Sequence, residues 1–241
     1  MNPAIDLILS HRSIRQFTAE PIEPTQLDAI LAAAQAAPSS SFLQATSIIR
    51  VMAPEAREQL AVLSGHQPYV AQAAEFLVFC ADYHRHRQIV PDAKTGYAEQ
   101  LLIGAIDGAL MAQNALLAAQ SLALGGVYIG GIRNNPAEVS DLLGLPLHVI
   151  PLFGLCLGHP AQAPEQKPRL PRTLVVHQEC YQHQLDHDLL AQYDQQMESY
   201  YHTRSGYNKQ QNWSGQVRAI LGKESRPFML GFLQARGFNL K

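Results

Sequence analysis

The chain has 241 residues, enough for one sizeable core with extensions. Its composition, 47% hydrophobic and 16% charged, is that of an ordinary globular protein, and 18 Lys+Arg against 20 Asp+Glu give a net charge of −2. That balance provides no global attraction for nucleic acid or an anionic membrane surface, so any anion-binding site has to be local.

The opening MNPAIDLILSHRS lacks the long apolar core and small-residue cleavage site of a secretory signal, which predicts a cytoplasmic protein. Asn2 followed by Pro3 predicts a capped helix running into His11. EPTQLDAILAAAQAA places Leu27, Ile30, Leu31 and Ala34 on one face and stops before Pro38, the pattern of a second helix. SSSF, residues 39–42, reads as a loop of hydroxyls ending in an aromatic ring. TSIIRVM and EFLVFCADY read as strands, separated by a helix from Pro54 to about Leu63 and a short one near Tyr69 to Ala73. HRHRQ, residues 84–88, reads as an exposed loop, because His84 and His86 are two apart and make a poor metal-ligand pair.

Residues 101–126 predict a long helix buried on most sides in the core or at a subunit interface. Asp107, Gln113, Asn114 and Gln120 would be costly in lipid. GVYIGG and VIPLFGLCLG read as strands on either side of a helix from Pro136 to Leu143, and the order of elements predicts a mixed sheet wrapped by helices. Downstream of Gly158, HPAQAPEQKPRLPR has too many prolines for regular structure and reads as an extended arm or a surface loop. A helical section follows, with Leu189, Tyr193, Met197 and Tyr200 spaced as a docking stripe. Three cysteines are an odd count for a disulfide framework, and Cys80 and Cys156 sit in apolar runs where a thiol is a small buried hydrophobe.

Positive charge concentrates in three stretches: His11, Arg12 and Arg15 in HRSIRQF; Lys167, Arg169 and Arg172 in the proline-rich arm; and Arg204, Lys209, Arg218 and Lys223 in an interval with no acidic residue between Glu198 and Glu224. An anionic partner is the economical explanation. An arginine fork completed by serine hydroxyls makes HRS together with SSS chemically suited to one phosphate. The glycine pairs at 125–126 and 130–131 are not a dinucleotide fingerprint; they suit close backbone approach to something flat. There is no P-loop, nucleophile elbow or zinc-protease motif, and no metal-ligand cluster.

These stretches occur with APSSSFLQATSIIRV, AQAAEFLVFCADY, GVYIGGIRNN, PLFGLCLGHP, QKPRLP, HTRSG and WSGQVR followed by KESRPF. In that order the chain resembles, along essentially its whole length, the FMN-dependent, oxygen-insensitive NADPH nitroreductases, a family that also holds NADPH:FMN oxidoreductases. The resemblance implies a nitroreductase-like α+β fold with a central, mostly antiparallel sheet flanked by helices. It implies a single domain over residues 1–241, with residues 159–241 as an arm and C-terminal helical section, and an intertwined homodimer with active sites at the interface.

It further implies a ping-pong, two-electron reduction of nitroaromatics or quinones at the expense of NADPH, with FMN carrying the chemistry and no residue acting as a catalytic acid. His11, Arg12, Ser13 and Arg169 would hold the FMN phosphate, with Ser39, Ser40 and Ser41 contributed by the other subunit. Arg15 and Lys167 would lie near N1 and O2 of the ring system, Gln67 near its pyrimidine edge, and Tyr128, Ile129, Gly130 and Gly131 along it. Fixed cations there would stabilise the negative charge gained on reduction. Arg204 would bind the NADPH 2′-phosphate, with Lys209 where relatives often carry a second arginine; lysine keeps the charge and loses the fork. Phe42, Lys223, Arg226 and Phe228 would border the acceptor pocket, against core packing for Phe228 and plain surface charge for Lys223. Two other readings share these residues: an NADPH:flavin oxidoreductase that delivers free reduced flavin, and a flavin-binding redox sensor without turnover.

Overall fold

Helix α1 (Pro3–Leu9) begins on Asn2, whose side chain accepts the Ala4 N–H at 2.9 Å. It ends at Leu9 and not in His11, because Ser10 closes the last turn through its own N–H and hydroxyl. In this computed structural model, residues 2–204 and 210–240 are described, and they divide into two compact units: the chain up to residue 163 together with 226 onward, and residues 164–225.

The first unit continues with α2 (Pro24–Gln35), β1 (Thr46–Arg50), α3 (Pro54–Leu63), α4 (Tyr69–Gln72), β2 (Glu75–Asp82), α5 (His84–Ile89), α6 (Ala98–Ser121), β3 (Gly125–Ile129), α7 (Pro136–Leu142) and β4 (Val149–Gly158). The strands form one sheet in the order β1-β2-β4-β3, and every neighbouring pair is antiparallel. A mixed sheet is therefore not what forms among the described strands; the parallel element is a single bridge from Ser13 to Gly126. HRHRQ is not a loop but most of α5, held by the turn that follows Tyr83. The strand read at GVYIGG stops at Ile129, and Gly130–Asn134 turns as a short 3₁₀ segment.

Every residue of β2 is buried, because both faces of the sheet are covered. Its alternation sends Phe76, Val78 and Cys80 into a cluster with Leu60, Val70, Ile129 and Val139, under α3, α4 and α7. Leu77 and Phe79 face the other way, into a cluster with Ile30, Ala34, Ala112 and Leu116 of α2 and α6. Burial pushes the Cys80 thiol up to about 12 and raises Cys156 further, so both are packing groups, as their apolar runs predict.

Helix α6 is long and apolar enough to cross a membrane by length and composition, yet it packs against α2 and the sheet. Two glycines let it close on the strands: a Cβ at Gly104 would sit 2.7 Å from the Ala81 Cβ, and one at Gly108 2.8 Å from Leu152 Cδ1. Its outward face keeps Leu102, Ile106 and Leu110 exposed at i, i+4 spacing. The C-terminal helix α10 (Met229–Ala235) returns to this unit and is followed by the fully buried Phe238.

The second unit is built on α8 (His187–Thr203) and α9 (Trp213–Leu221). Asp186 and Asn212 cap them by accepting from Leu189 N at 2.9 Å and Gly215 N at 2.8 Å. The buried stripe of α8 is Tyr193, Met197 and Tyr201, packed with Leu170 and Trp213. Tyr201, at i+8, takes the place predicted for Tyr200, which is half-buried beside it.

Candidate functional site

The HRS stretch lies along the edge of β3. Ile14 N donates to Gly126 O at 3.0 Å, and the buried Ile14 side chain fills the space where a Cβ on Gly125 would lie. His11 Nδ1 accepts from the Gln120 side-chain amide at 3.0 Å, which places the hydrogen of the neutral ring on Nε2. Arg12 and Arg15 are exposed, Ser13 half-buried. Arg12 borders a cavity of about 390 Å³ with Ser10, Gln120, Gly125, Pro160 and Gln162, and the buried Oε1 of Gln120 has no partner among the described residues. The Arg12 cation at the cavity suits a phosphate-bearing ligand, whereas the Gln120 oxygen is an acceptor and would take a donor from the ligand or from water.

At the end of β3 the chain makes the turn Gly130–Asn134. The Ile129 side chain is fully buried in the core, so only its backbone can face a ligand, whereas Tyr128 is partly exposed and donates its O–H to Gln113 Oε1 at 3.3 Å. Burial pushes the Tyr128 hydroxyl up to about 12. Gly131 is pressed onto residues 64–67: a Cβ there would overlap Ser64 O and the Gln67 amide. Gln67 in turn donates to Ser64 O at 2.5 Å and accepts from the Tyr69 hydroxyl at 2.6 Å. The structure thus brings Gln67 and the glycine turn together: Gly131 is closed against residues 64–67, while a Cβ on Gly130 would meet nothing closer than Arg133 Nη2 at 3.6 Å.

Arg226 joins the same turn. Its Nε and Nη2 donate to Asn134 Oδ1 at 3.2 and 2.8 Å, and Nη2 also reaches Gly130 O at 3.4 Å. Arg226 is thus a half-buried strut with φ 56, and Asn134, which it holds, is not among the residues expected at the site. Asn135 adds a bond from its amide to Leu63 O at 2.9 Å. Phe228 is exposed, which excludes core packing for it.

The hydroxyl loop lies elsewhere on this unit. Ser40–Phe42 form a short turn with Ser41 and Phe42 at φ 47 and 56, and Phe42 is 78% exposed. Ser40 N donates to Asp107 Oδ1 at 3.1 Å, so the loop rests on the middle of α6, while His11 is tied to Gln120 near its end. Thirteen residues of helix separate the two, about 20 Å at 1.5 Å per residue. SSS and HRS of one chain therefore do not meet at one phosphate.

In the second unit the proline-rich arm is laid along α8. Tyr193 OH donates to Pro168 O at 3.1 Å, Arg169 Nη1 donates to Lys167 O at 2.8 Å, and Leu170 packs on the buried stripe. The Lys167 ammonium stands 5.3 Å above the Tyr201 ring and the Arg204 guanidinium 5.0 Å from the same ring, so two predicted site cations share one aromatic shelf. Tyr201, 5% exposed and donating to Gln216 Oε1 at 3.1 Å, is a second residue the sequence reading passed over. Lys223 is exposed, and Lys209 lies outside the described residues. Among the described residues, no group of His, Cys, Asp or Glu could hold a metal ion.

Known proteins bear on this arrangement. A model described as "Nitroreductase family" matches residues 8–159, and one described as "Nitroreductase family, C-terminal domain" matches residues 167–241. The oxygen-insensitive NADPH nitroreductase of Salmonella typhimurium is 58% identical over 238 residues, 99% of each chain. Nitroreductase A from Vibrio parahaemolyticus superposes with a TM-score of 0.94 at 53% identity, covering 98% of each chain. The NADPH:FMN oxidoreductase from Vibrio harveyi, in complex with NAD+, does so with a TM-score of 0.92 at 52% identity, again over 98% of each. With the glycine turn, the HRS edge and the cation-bearing arm all inside these matches, the chain belongs to the nitroreductase family.

Proposed function

We propose that this chain is an FMN-dependent, NADPH-using oxidoreductase that reduces nitroaromatics and quinones by two electrons at a time. The observation that carries this reading is the glycine turn at Gly130–Gly131, packed against the Gln67 amide, in a chain similar from end to end to a named NADPH nitroreductase. FMN fits the residues present: the backbone at Gly130 has no Cβ to hold off a flat ring, and a phosphate needs a cation such as Arg12 at the 390 Å³ cavity and a hydroxyl such as that of Ser13 at the β3 edge.

FMN, when bound, supplies hydride acceptance from NADPH and hydride donation to the second substrate. The chain's work is to hold and to balance charge. His11, Arg12, Ser13 and Arg169 hold the phosphate; Gln67 and the backbone of Tyr128, Ile129, Gly130 and Gly131 orient the ring. Arg15 and Lys167 offset the negative charge that two-electron reduction leaves. Arg204, with Lys209, selects NADPH through its 2′-phosphate, and Phe42, Lys223, Arg226 and Phe228 border the acceptor. For a quinone the balance is NADPH, a proton and quinone to NADP+ and hydroquinone.

The working form is a homodimer in which Ser39, Ser40 and Ser41 of one subunit serve the phosphate held by the other. Two features support it: the distance of about 20 Å along α6 between SSS and HRS in one chain, and the exposed apolar row Leu102, Ile106 and Leu110 on the same helix, with Ile5, Ile8 and Leu9 of α1 also exposed. The row covers a partner copy and not lipid, since the buried Asp107 sits on the same helix. The protein works in the cytoplasm, without nucleic acid or membrane as a partner.

Steady-state NADPH oxidation with a nitroaromatic and with a quinone tests this function. Yellow, FMN-loaded protein that turns over neither would leave the redox-sensor reading. The similarity to an NADPH:FMN oxidoreductase keeps flavin reduction as a second activity of the same site. Faster turnover with free FMN than with any nitroaromatic or quinone would make it the main one.

A further inference from the structure

Asp107 is the sole charged residue between Gln100 and Ser121, in the middle of the one described helix long and apolar enough to cross a membrane. It is 4% exposed; Oδ1 accepts the Ser40 N–H at 3.1 Å, and Oδ2 has no partner among the described residues. An ionisable group so placed costs stability, and an apolar side chain of similar size would pack there at less cost. The helix holds it rigidly, because Gly104 and Gly108 jam α6 onto Ala81 and Leu152.

The loop that Asp107 touches is fixed at three further points. Where it leaves α2, Asn114 Nδ2 donates to Ala33 O at 3.1 Å. Where it enters β1, His86 Nε2 donates to Leu43 O at 2.7 Å, and Arg85 Nη2 donates to Gln44 O at 3.2 Å and Thr46 O at 3.1 Å. Between these ends Ser41, Phe42 and Gln44 lie in the left-handed region at φ 47, 56 and 53. Such backbone costs on the order of 1 kcal/mol or more per non-glycine residue and persists where its surroundings over-determine it. The clamp is what over-determines it here, and part of it is the HRHRQ motif, which otherwise has no role. Ser39 Oγ accepts the Gln44 N–H at 3.2 Å, which leaves its own O–H as a donor. Phe42 is left standing in solvent beside a cavity of about 360 Å³ lined by Ser39, Gln44, Thr46, Arg85 and Asp107.

We infer that Asp107, Arg85 and His86 are positioning residues: they hold the Ser39–Phe42 loop in the one shape that presents its hydroxyls to the flavin phosphate and Phe42 to the acceptor. The inference rests on the reading that Ser39–Ser41 contribute to the phosphate site. What Asp107 supplies is an acceptor at a fixed point for a backbone N–H that the turn itself leaves unused, so an amide of the same shape should serve and an apolar isostere should not.

The test is FMN retention by the holoenzyme, read as the return of free-flavin fluorescence on dilution, with KM and kcat for a nitroaromatic measured in parallel. Asp107→Leu and the double variant Arg85→Ala/His86→Ala should each weaken FMN retention by about tenfold and raise the acceptor KM more than they lower kcat. Asp107→Asn should stay within about twofold of the parent, because its Oδ1 accepts the same N–H. Should Asp107→Leu not fold, the Arg85/His86 variant and the Asn rescue decide the matter. Full retention in both disruptive variants, or Asn behaving like Leu, overturns the positioning role. A Ser39→Ala/Ser40→Ala/Ser41→Ala variant separates the two readings. Undiminished flavin in it removes the phosphate role of the loop, and the clamp with it. Flavin lost there but kept in the clamp variants removes the clamp alone.

Discussion

In the turn Gly130–Asn134, position is fixed by exclusion and by hydrogen bonds: Gly131 has no room for a Cβ, and Asn134 is gripped by two nitrogens of Arg226. In the arm at residues 165–170, the hydroxyls of Tyr193 and Tyr200 donate to the carbonyls of Pro168 and Glu165 and lay the chain down, but its exposed lysine is placed by an aromatic face. Both carry groups proposed to serve FMN or NADPH. A steric wall does not give, whereas a cation over a ring keeps several orientations at similar energy. The first arrangement suits the ring that must be presented the same way to two successive substrates, and the second suits charged groups that meet NADPH and then release NADP+.

The largest effects should therefore come from the glycines, and they should split. Gly131→Ala forces Ser64 O and Gln67 to move, which costs about 1–3 kcal/mol of stability by overpacking, and should leave the protein largely free of flavin. Gly130→Ala meets nothing closer than Arg133 Nη2 at 3.6 Å, so its melting temperature should stay near that of the parent. If the ring approaches this backbone, Gly130→Ala still loses flavin. Melting temperature and the 450 nm absorbance after dialysis distinguish a structural from a ligand-facing glycine. Parental flavin content in Gly130→Ala would show that the ring lies away from this turn.

Next in size is the strut. Removing Arg226 leaves Asn134 Oδ1 and Gly130 O without their partner, at about 1–3 kcal/mol for bonds to a charged group. Because burial, and then Arg226 nearby, holds the Arg133 guanidinium below its ordinary range, the same change relieves Arg133. Arg226→Ala and Asn134→Ala should thus act through one interaction and be non-additive in a double-mutant cycle read by thermal unfolding. Additive losses would make Arg226 a contact for the acceptor alone.

Much of this scaffold is legible in the sequence. Continuous apolar runs place β2 and β4, and Pro24, Pro54 and Pro136 each start a helix where they stand. Gln67 and Gly131, both expected at the flavin, lie against each other. What stays hidden is long-range pairing: nothing local in HRHRQ says that its helix caps a loop forty residues upstream, and nothing at Asn134 announces Arg226, 92 residues later. The slip from Tyr200 to Tyr201 is of another kind, since adjacent tyrosines both satisfy helical spacing and only the packing of Trp213 and Leu170 chooses between them. Asp107 does leave a trace, as a lone charge in an apolar helix, and its spacing says that it is costly without saying what it holds.

On the arm, effects should be several-fold and should depend on the ring. Tyr201→Phe keeps the aromatic face and loses only the bond to Gln216, so NADPH kinetics should barely change. Tyr201→Leu removes a shelf worth about 0.5–1 kcal/mol per cation, a two- to fivefold rise in the KM for NADPH with little change for NADH. Arg204→Ala should show the same selectivity more strongly. Equal effects on the two cofactors would deny Arg204 a 2′-phosphate role.

The smallest effect separates the two units by their thiols. Cys80 and Cys156 are buried in the first unit, and Cys180 is exposed in the second. At pH 8 a thiol reagent should label one cysteine per native chain, at Cys180, without loss of activity, and all three in denaturant. The same burial fixes the sign of an alkaline effect. The Cys80 thiol is held at about 12 in the folded chain against an ordinary 9, so above pH 9 unfolding releases a proton that folding retains. Stability from this group is complete below about 9 and declines as pH rises toward about 12. Cys80→Ala should lessen that decline, the remainder being carried by groups raised in the same way such as Cys156 and Tyr128, and a pH series of melting temperatures reads the difference. Labelling of more than one thiol in the native protein would mean that β2 or β4 opens far more readily than its buried position allows.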